Sequence, residues 1–83
     1  MTSVSEHQPS IRLSCLDEEQ CSIYFEPWGT EYVLLKGDSF VVRSSAFTTG
    51  DVEVSHVTGG ISLTFTVDDE IEIFDSSGAR LSI

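Results

Sequence analysis

The amino-acid sequence predicts a small all-β domain, a compact antiparallel barrel or a two-sheet sandwich built from about eight short strands. Three features predict this. Apolar and polar residues alternate from Ile11 almost to the last residue, the period of a strand with one buried face. Clusters of Gly, Pro, Asp and Ser interrupt the alternation at short intervals, as tight turns do. No window sustains the apolar spacing of a helix of about ten residues.

The elements follow in chain order. Residues 1–10 are polar, with Pro9 near their end, and are expected as a disordered tail ahead of a single β domain over residues 11–83. Strands are predicted over Ile11–Leu16, Cys21–Glu26, Glu31–Leu35, Ser39–Ser44, Val52–Val57, Ile61–Val67, Ile71–Phe74 and Ala79–Ile83. The sixth has the clearest pattern, with Ile61, Leu63, Phe65 and Val67 alternating with Ser62, Thr64 and Thr66. A type I′ turn at Gly59-Gly60 would pair Val54 with Phe65 and Val52 with Val67, and would turn His56 inward beside Leu63. A three-residue Asp68-Asp69-Glu70 loop would then pair Val67 with Ile71 and bring Ile73 to the same face, leaving Phe74 outward unless a bulge turns it. The Tyr32–Val42 stretch supports two registers. A Gly37-Asp38 turn aligns Val33 and Leu35 with Phe40 and Val42, whereas a longer Lys36–Asp38 loop aligns Tyr32 and Leu34 with them.

The formal net charge is −10, from 14 acidic residues against Arg12, Lys36, Arg43 and Arg80. Such a balance disfavours direct contact with nucleic acid or an anionic membrane surface, since both are held by clustered Lys and Arg. It suits a protein partner with a basic surface, and equally suits plain solubility. The polar start lacks the apolar stretch of a secretory signal, and no segment approaches the about 20 apolar residues of a membrane span. Cytoplasmic residence is expected, unless the chain is a processed segment.

Little in the sequence carries chemistry. If Ile11, Leu13 and Cys15 share a face with Cys21, Ile23 and Phe25, the simplest register sets Cys15 opposite Cys21 across a hairpin. That register allows a cross-strand disulfide; two buried thiols packing as small hydrophobes are the expected state in a reducing cytoplasm. Two thiols with His7 in the tail do not make a metal site, and no cofactor is expected. His56 reads as a partly buried structural histidine. No Gly-x-Ser-x-Gly elbow and no acid–base set accompany the many Ser and Thr residues, so no catalytic residue and no enzymatic activity are expected. Asp68, Asp69, Glu70, Glu72 and Asp75 lack the spacing and central glycine of a calcium loop. They read as a solvated face that discourages edge-to-edge pairing, or as contacts for Lys or Arg on a partner. Trp28 sits in a predicted turn near Tyr24 and Tyr32, either as an exposed anchor for a partner or as a cap on the core.

The run from Phe25 to Phe40, with Glu26-Pro27-Trp28-Gly29 followed by Tyr32 and the Gly37-Asp38 turn, resembles small, uncharacterised acidic all-β proteins of actinobacteria. The resemblance covers about half the chain and implies no particular activity. The Leu34-Leu35-Lys36-Gly37-Asp38 turn, a Leu-x-x-Gly-Asp pattern, also looks like a cupin β-roll, although the cupin metal motif, His-x-His with a following Glu, is absent.

These readings favour a non-enzymatic, acidic protein-interaction module, in its sharper form an inhibitor or immunity-type protein covering a basic surface. The alternative is a cupin-like β-roll that binds a sugar or metabolite against Trp28, Tyr24 and Tyr32. The oligomeric state is left open.

Overall fold

The structure, a computed structural model, describes residues 8–68 and 70–83; of the tail expected over residues 1–10, residues 1–7 lie outside them, as does the predicted site residue Asp69, while Ser10 already belongs to the first strand. The described residues form β1 (Ser10–Ser14), β2 (Gln20–Glu26), β3 (Thr30–Leu35), β4 (Ser39–Arg43), α1 (Ala46–Thr49), β5 (Val52–Val57), β6 (Gly60–Phe65), β7 (Glu72–Phe74) and β8 (Arg80–Leu81). Two four-stranded sheets result, sheet A in the order β1-β4-β7-β8 and sheet B in the order β3-β2-β6-β5. They are not closed into a barrel, so of the two expected architectures the sandwich is the one adopted.

Alternation decides which side chains are inside. Ile11 and Leu13 of β1, Phe40 and Val42 of β4, and Ile73 of β7 project inward from sheet A. Ile23 and Phe25 of β2, Leu34 of β3, and Leu63 and Phe65 of β6 meet them from sheet B. Burying each Phe, Leu or Ile of this set contributes roughly 1.5–3 kcal/mol. Tyr32 bridges the sheets, its ring edge-on to Phe40 at 5.6 Å and to Phe25 at 6.3 Å, and its hydroxyl donates to the Ser82 carbonyl beyond β8.

Strand pairing departs from the antiparallel expectation at one place. β2 and β6 run parallel, with Ile23 against Ile61 and Phe25 against Leu63, while the other five ladders are antiparallel. Sheet B is therefore two hairpins, β2–β3 and β5–β6, laid side by side with their inner strands parallel. β7 and β8 also pair as neighbours, but the hairpins expected between the first two strands and between the third and fourth do not form. β1 and β2 belong to different sheets, and the Cys15–Cys21 disulfide, Cα atoms 5.8 Å apart, ties one sheet to the other rather than crossing a hairpin. The expected pair of free thiols is thus replaced by a bond. β3 and β4 are likewise in opposite sheets, so neither register expected for Tyr32–Val42 forms; Tyr32 and Leu34 face Phe40 and Val42 across the interior instead. Two backbone bonds, Gly37 N to the Cys15 carbonyl (2.7 Å) and Lys36 N to the Glu19 carbonyl (3.0 Å), stitch these sheet-crossing loops together.

The β5–β6 hairpin forms with its apolar faces aligned as expected but slipped by two residues, pairing Val54 with Leu63 and His56 with Ile61. Its turn is Thr58-Gly59 because Gly60 is needed elsewhere. A Cβ at Gly60 would lie 1.8 Å from the Ser22 carbonyl oxygen, so only glycine admits the close approach of β2. Only Gly59 takes a positive φ (82°), which rules out the type I′ turn. After β6 the chain crosses to sheet A, so Val67 does not pair with Ile71; β7 pairs with β4 and β8. Phe74 points outward. Between β4 and β5 the unpredicted α1 fills the same crossing role, with buried Ser44 accepting the Ala46 N–H through Oγ at 3.2 Å and Gly50 closing the turn at φ 79°.

Candidate functional site

The structure separates the aromatic residues that the sequence had grouped. Trp28 follows the cis Glu26–Pro27 bond in the β2–β3 loop, 39% exposed, with its ring 5.7 Å from Phe65. It both caps the interior and shows one edge to solvent. Tyr24 projects from the outer face of sheet B, opposite Glu31. Tyr32 projects inward. The three form no common surface, and a ligand cannot touch all of them at once.

The acidic residues are separated too. Asp68 and Glu70 are exposed in the crossing segment between β6 and β7. Glu72 is not with them: it lies on the outer face of sheet A, its side chain 14% exposed, 3.7 Å from Arg43 and 3.6 Å from Arg80. Asp75 is bound into its own turn. Its Oδ1 accepts the Ser77 hydroxyl at 2.7 Å and the Ser77 and Ala79 N–H groups at 2.9 Å each. Those bonds, the Ser77 hydroxyl first, hold its carboxyl below the ordinary value of 3.8.

A different charge arrangement emerges from sheet membership. The strands of sheet B carry Glu26, Glu31 and Glu53 and no Lys or Arg. The strands of sheet A carry Arg12, Arg43 and Arg80 with Glu72 alone opposing them. Strand alternation turns all of these outward, so the sandwich has one acidic and one basic broad face. On the acidic face Ser22 Oγ donates to Glu31 Oε2 at 2.7 Å, holding that carboxylate beside Tyr24. Val33 and Leu35, 47% and 58% exposed, border the same face on the edge strand β3. In the sequence Glu31 and Glu53 are ordinary strand positions, Glu26 figures only in the Glu26-Pro27-Trp28-Gly29 run, and Val33 and Leu35 only as one of two registers against Phe40 and Val42. Their common surface exists only once β2, β3, β5 and β6 are known to share a sheet.

At one end of the sandwich the sheets part around a cavity of about 440 Å³ whose lining includes Leu13, Cys21, Ile23 and Ile61, with Glu18 and His56 contributing polar groups. His56 is exposed there rather than partly buried as expected: β5 is the edge of sheet B, and none of the described residues covers the histidine. The cavity offers apolar walls, with Gln20 and two hydroxyl residues, Ser14 and Thr58, beside the carboxylate and the imidazole.

The chain matches no known family model, no curated protein and no solved structure. Among the described residues, no group of three or more His, Cys, Asp or Glu side chains is placed to hold a metal ion, and no helix is long and apolar enough to cross a membrane.

Proposed function

We propose that this protein is a non-enzymatic interaction module that docks a basic protein surface on the outer face of sheet B. One observation carries the reading: Glu26, Glu31 and Glu53 share that face with Tyr24, Val33 and Leu35, and its strands bear no cation. Three carboxylates gathered at one end of a face that carries Tyr24, with Val33 and Leu35 along its β3 edge, complement a basic patch flanked by apolar groups. In its sharper form the partner is an enzyme whose basic site the module covers.

The test is capture from native lysate at low and at physiological salt, comparing the unaltered chain with Glu31→Lys/Glu53→Lys. Arg12→Glu on the opposite face serves as the control. A basic protein is expected to bind the unaltered chain and the control, to be lost with the double reversal, and to weaken steeply with salt. Salt-independent capture, or capture indifferent to Glu31 and Glu53, rejects the proposal.

The end cavity supports a second reading, a small ligand with an apolar body and a polar group directed to Glu18 or His56. It relocates the ligand away from Trp28, Tyr24 and Tyr32. NMR perturbation at Ile61 and His56 in a metabolite screen distinguishes it from protein docking at Tyr24.

The sequence reading places the protein in the cytoplasm. The Cys15–Cys21 bridge favours an oxidising compartment instead, where such bonds persist. Thiol titration of protein from its native source separates the two.

A further inference from the structure

Three of the four basic residues of this acidic chain are gathered on the outer face of sheet A. The ladders place Arg12, Val41, Phe74 and Arg80 in one row across β1, β4, β7 and β8, with Arg43 one outward position along β4. The Arg43 guanidinium lies over the Phe74 ring at 5.1 Å. Glu72, set beneath, is 3.7 Å from Arg43 and 3.6 Å from Arg80. Both separations are beyond hydrogen-bond range, and Glu72 Oε1 is buried with no hydrogen-bond partner. The carboxylate therefore holds two guanidiniums by charge, without taking up their N–H donors.

A purely structural ion cluster would end there. Arg12 is not part of it: exposed, with no ion pair among the described residues, it borders the same shallow groove of about 420 Å³. Arg43, Ser39 and Ser76 supply the other polar lining, and Val41 and Phe74 the apolar part. Asp75 also borders the groove, but its Oδ1 is committed to the turn over Ser77 and Ala79.

We propose that this groove binds a carboxylate carried on a flat apolar body. A guanidinium meets the two oxygens of a carboxylate with parallel N–H bonds, and Arg12 and Arg43 both line the groove. Val41 and the Phe74 ring offer the apolar contact that a flat hydrocarbon body fills. The groove is shallow, so a planar carboxylate, coplanar with the ring that carries it, fits it better than a tetrahedral phosphate. The same group is presented by a free aromatic acid and by the C-terminus of a peptide ending in an aromatic residue. The site is independent of the acidic face, which lies on the other side of the sandwich.

The test is amide-resolved NMR titration of the whole chain at low ionic strength with benzoate, benzamide and phenyl phosphate. Benzoate is expected to give saturable shifts at Arg12, Arg43 and Ser76 at millimolar concentration, benzamide none, and phenyl phosphate weaker binding. Arg12→Ala, an exposed change that leaves the Glu72 cluster intact, is expected to weaken benzoate about tenfold, and Arg12→Lys less. A Gly-Gly-Phe tripeptide, free and C-terminally amidated, separates the sources: tighter binding of the free tripeptide than of benzoate assigns a peptide terminus, and the reverse assigns a free acid. Absence of saturable shifts with benzoate, equal binding of benzamide, tighter binding of phenyl phosphate, or benzoate affinity unchanged by Arg12→Ala would each overturn the proposal.

Discussion

Replacing Gly60 by alanine tests the feature on which sheet B depends, the parallel seam between its two hairpins. The added Cβ would lie 1.8 Å from the Ser22 carbonyl oxygen, 2.7 Å from the Ser22 carbonyl carbon and 2.9 Å from its nitrogen. All three are backbone atoms, so no side chain can swing aside. Relief requires β6 to retreat from β2 at the end of the ladder where Ser22 faces Gly60 and where the Ser22 N–H donates to the Gly59 carbonyl at 2.9 Å. Overpacking of this kind costs about 1–3 kcal/mol, and loss of the hydrogen bond about 1 kcal/mol more. A total near 3 kcal/mol corresponds to a fall in Tm of about 12–24 °C for a domain of this size. Gly59→Ala is the internal control. It places alanine at φ 82° with nothing within 4 Å of its Cβ, so it meets backbone strain alone, about 1–2 kcal/mol. Urea and thermal unfolding followed by circular dichroism should rank Gly60→Ala well below Gly59→Ala, which in turn falls below the unaltered protein. A type I′ hairpin would have strained both alike. Equal losses, or a Gly60→Ala protein as stable as the unaltered one, would refute the parallel seam.

Three further outcomes are expected. Reduction of Cys15–Cys21, or Cys15→Ala/Cys21→Ala, should lower stability by about 2 kcal/mol, the loop-closure effect for so short a loop, seen as a lower urea midpoint; an unchanged midpoint counts against the bridge. Leu63→Ala empties a fully buried position between β2 and β5 and should cost about 3 kcal/mol in the same assay, whereas Val54→Ala, on the exposed edge opposite it, should cost far less. Asp75→Ala should remove a pH-dependent contribution. The folded carboxyl sits below 3.8, so its stabilisation is complete above that value and vanishes as pH falls through the folded value. The Tm gap between the two proteins should accordingly be constant near neutrality and close in strong acid; a gap that widens on acidification would contradict the Asp75 turn.

Much of the fold was legible along the chain. The alternation in Ile61–Phe65 and Cys21–Phe25 marks which side chains turn inward, and the structure buries Ile23, Phe25, Leu63 and Phe65 accordingly. The turn clusters mark most strand ends to within a residue or two, and the outward setting of Phe74 follows from Ile73 being inside. The candidate site was far less legible. Tyr24, Trp28 and Tyr32 are close in sequence yet occupy three different surfaces. Glu72 reads as part of an acidic run yet is drawn in among arginines.

The chain's own residue order determined the strand content and the buried side of most strands, because a period of two is a local property that burial rewards in any sheet. Partner and direction were decided only in three dimensions. A strand with a given apolar face packs as well beside a parallel neighbour as an antiparallel one, so nothing local announces that β2 lies along β6. The choice comes from fitting both hairpins over sheet A at once, with Gly60 admitting the close contact. That same arrangement sets Glu26, Glu31 and Glu53 on one broad face and Arg12, Arg43 and Arg80 on the other.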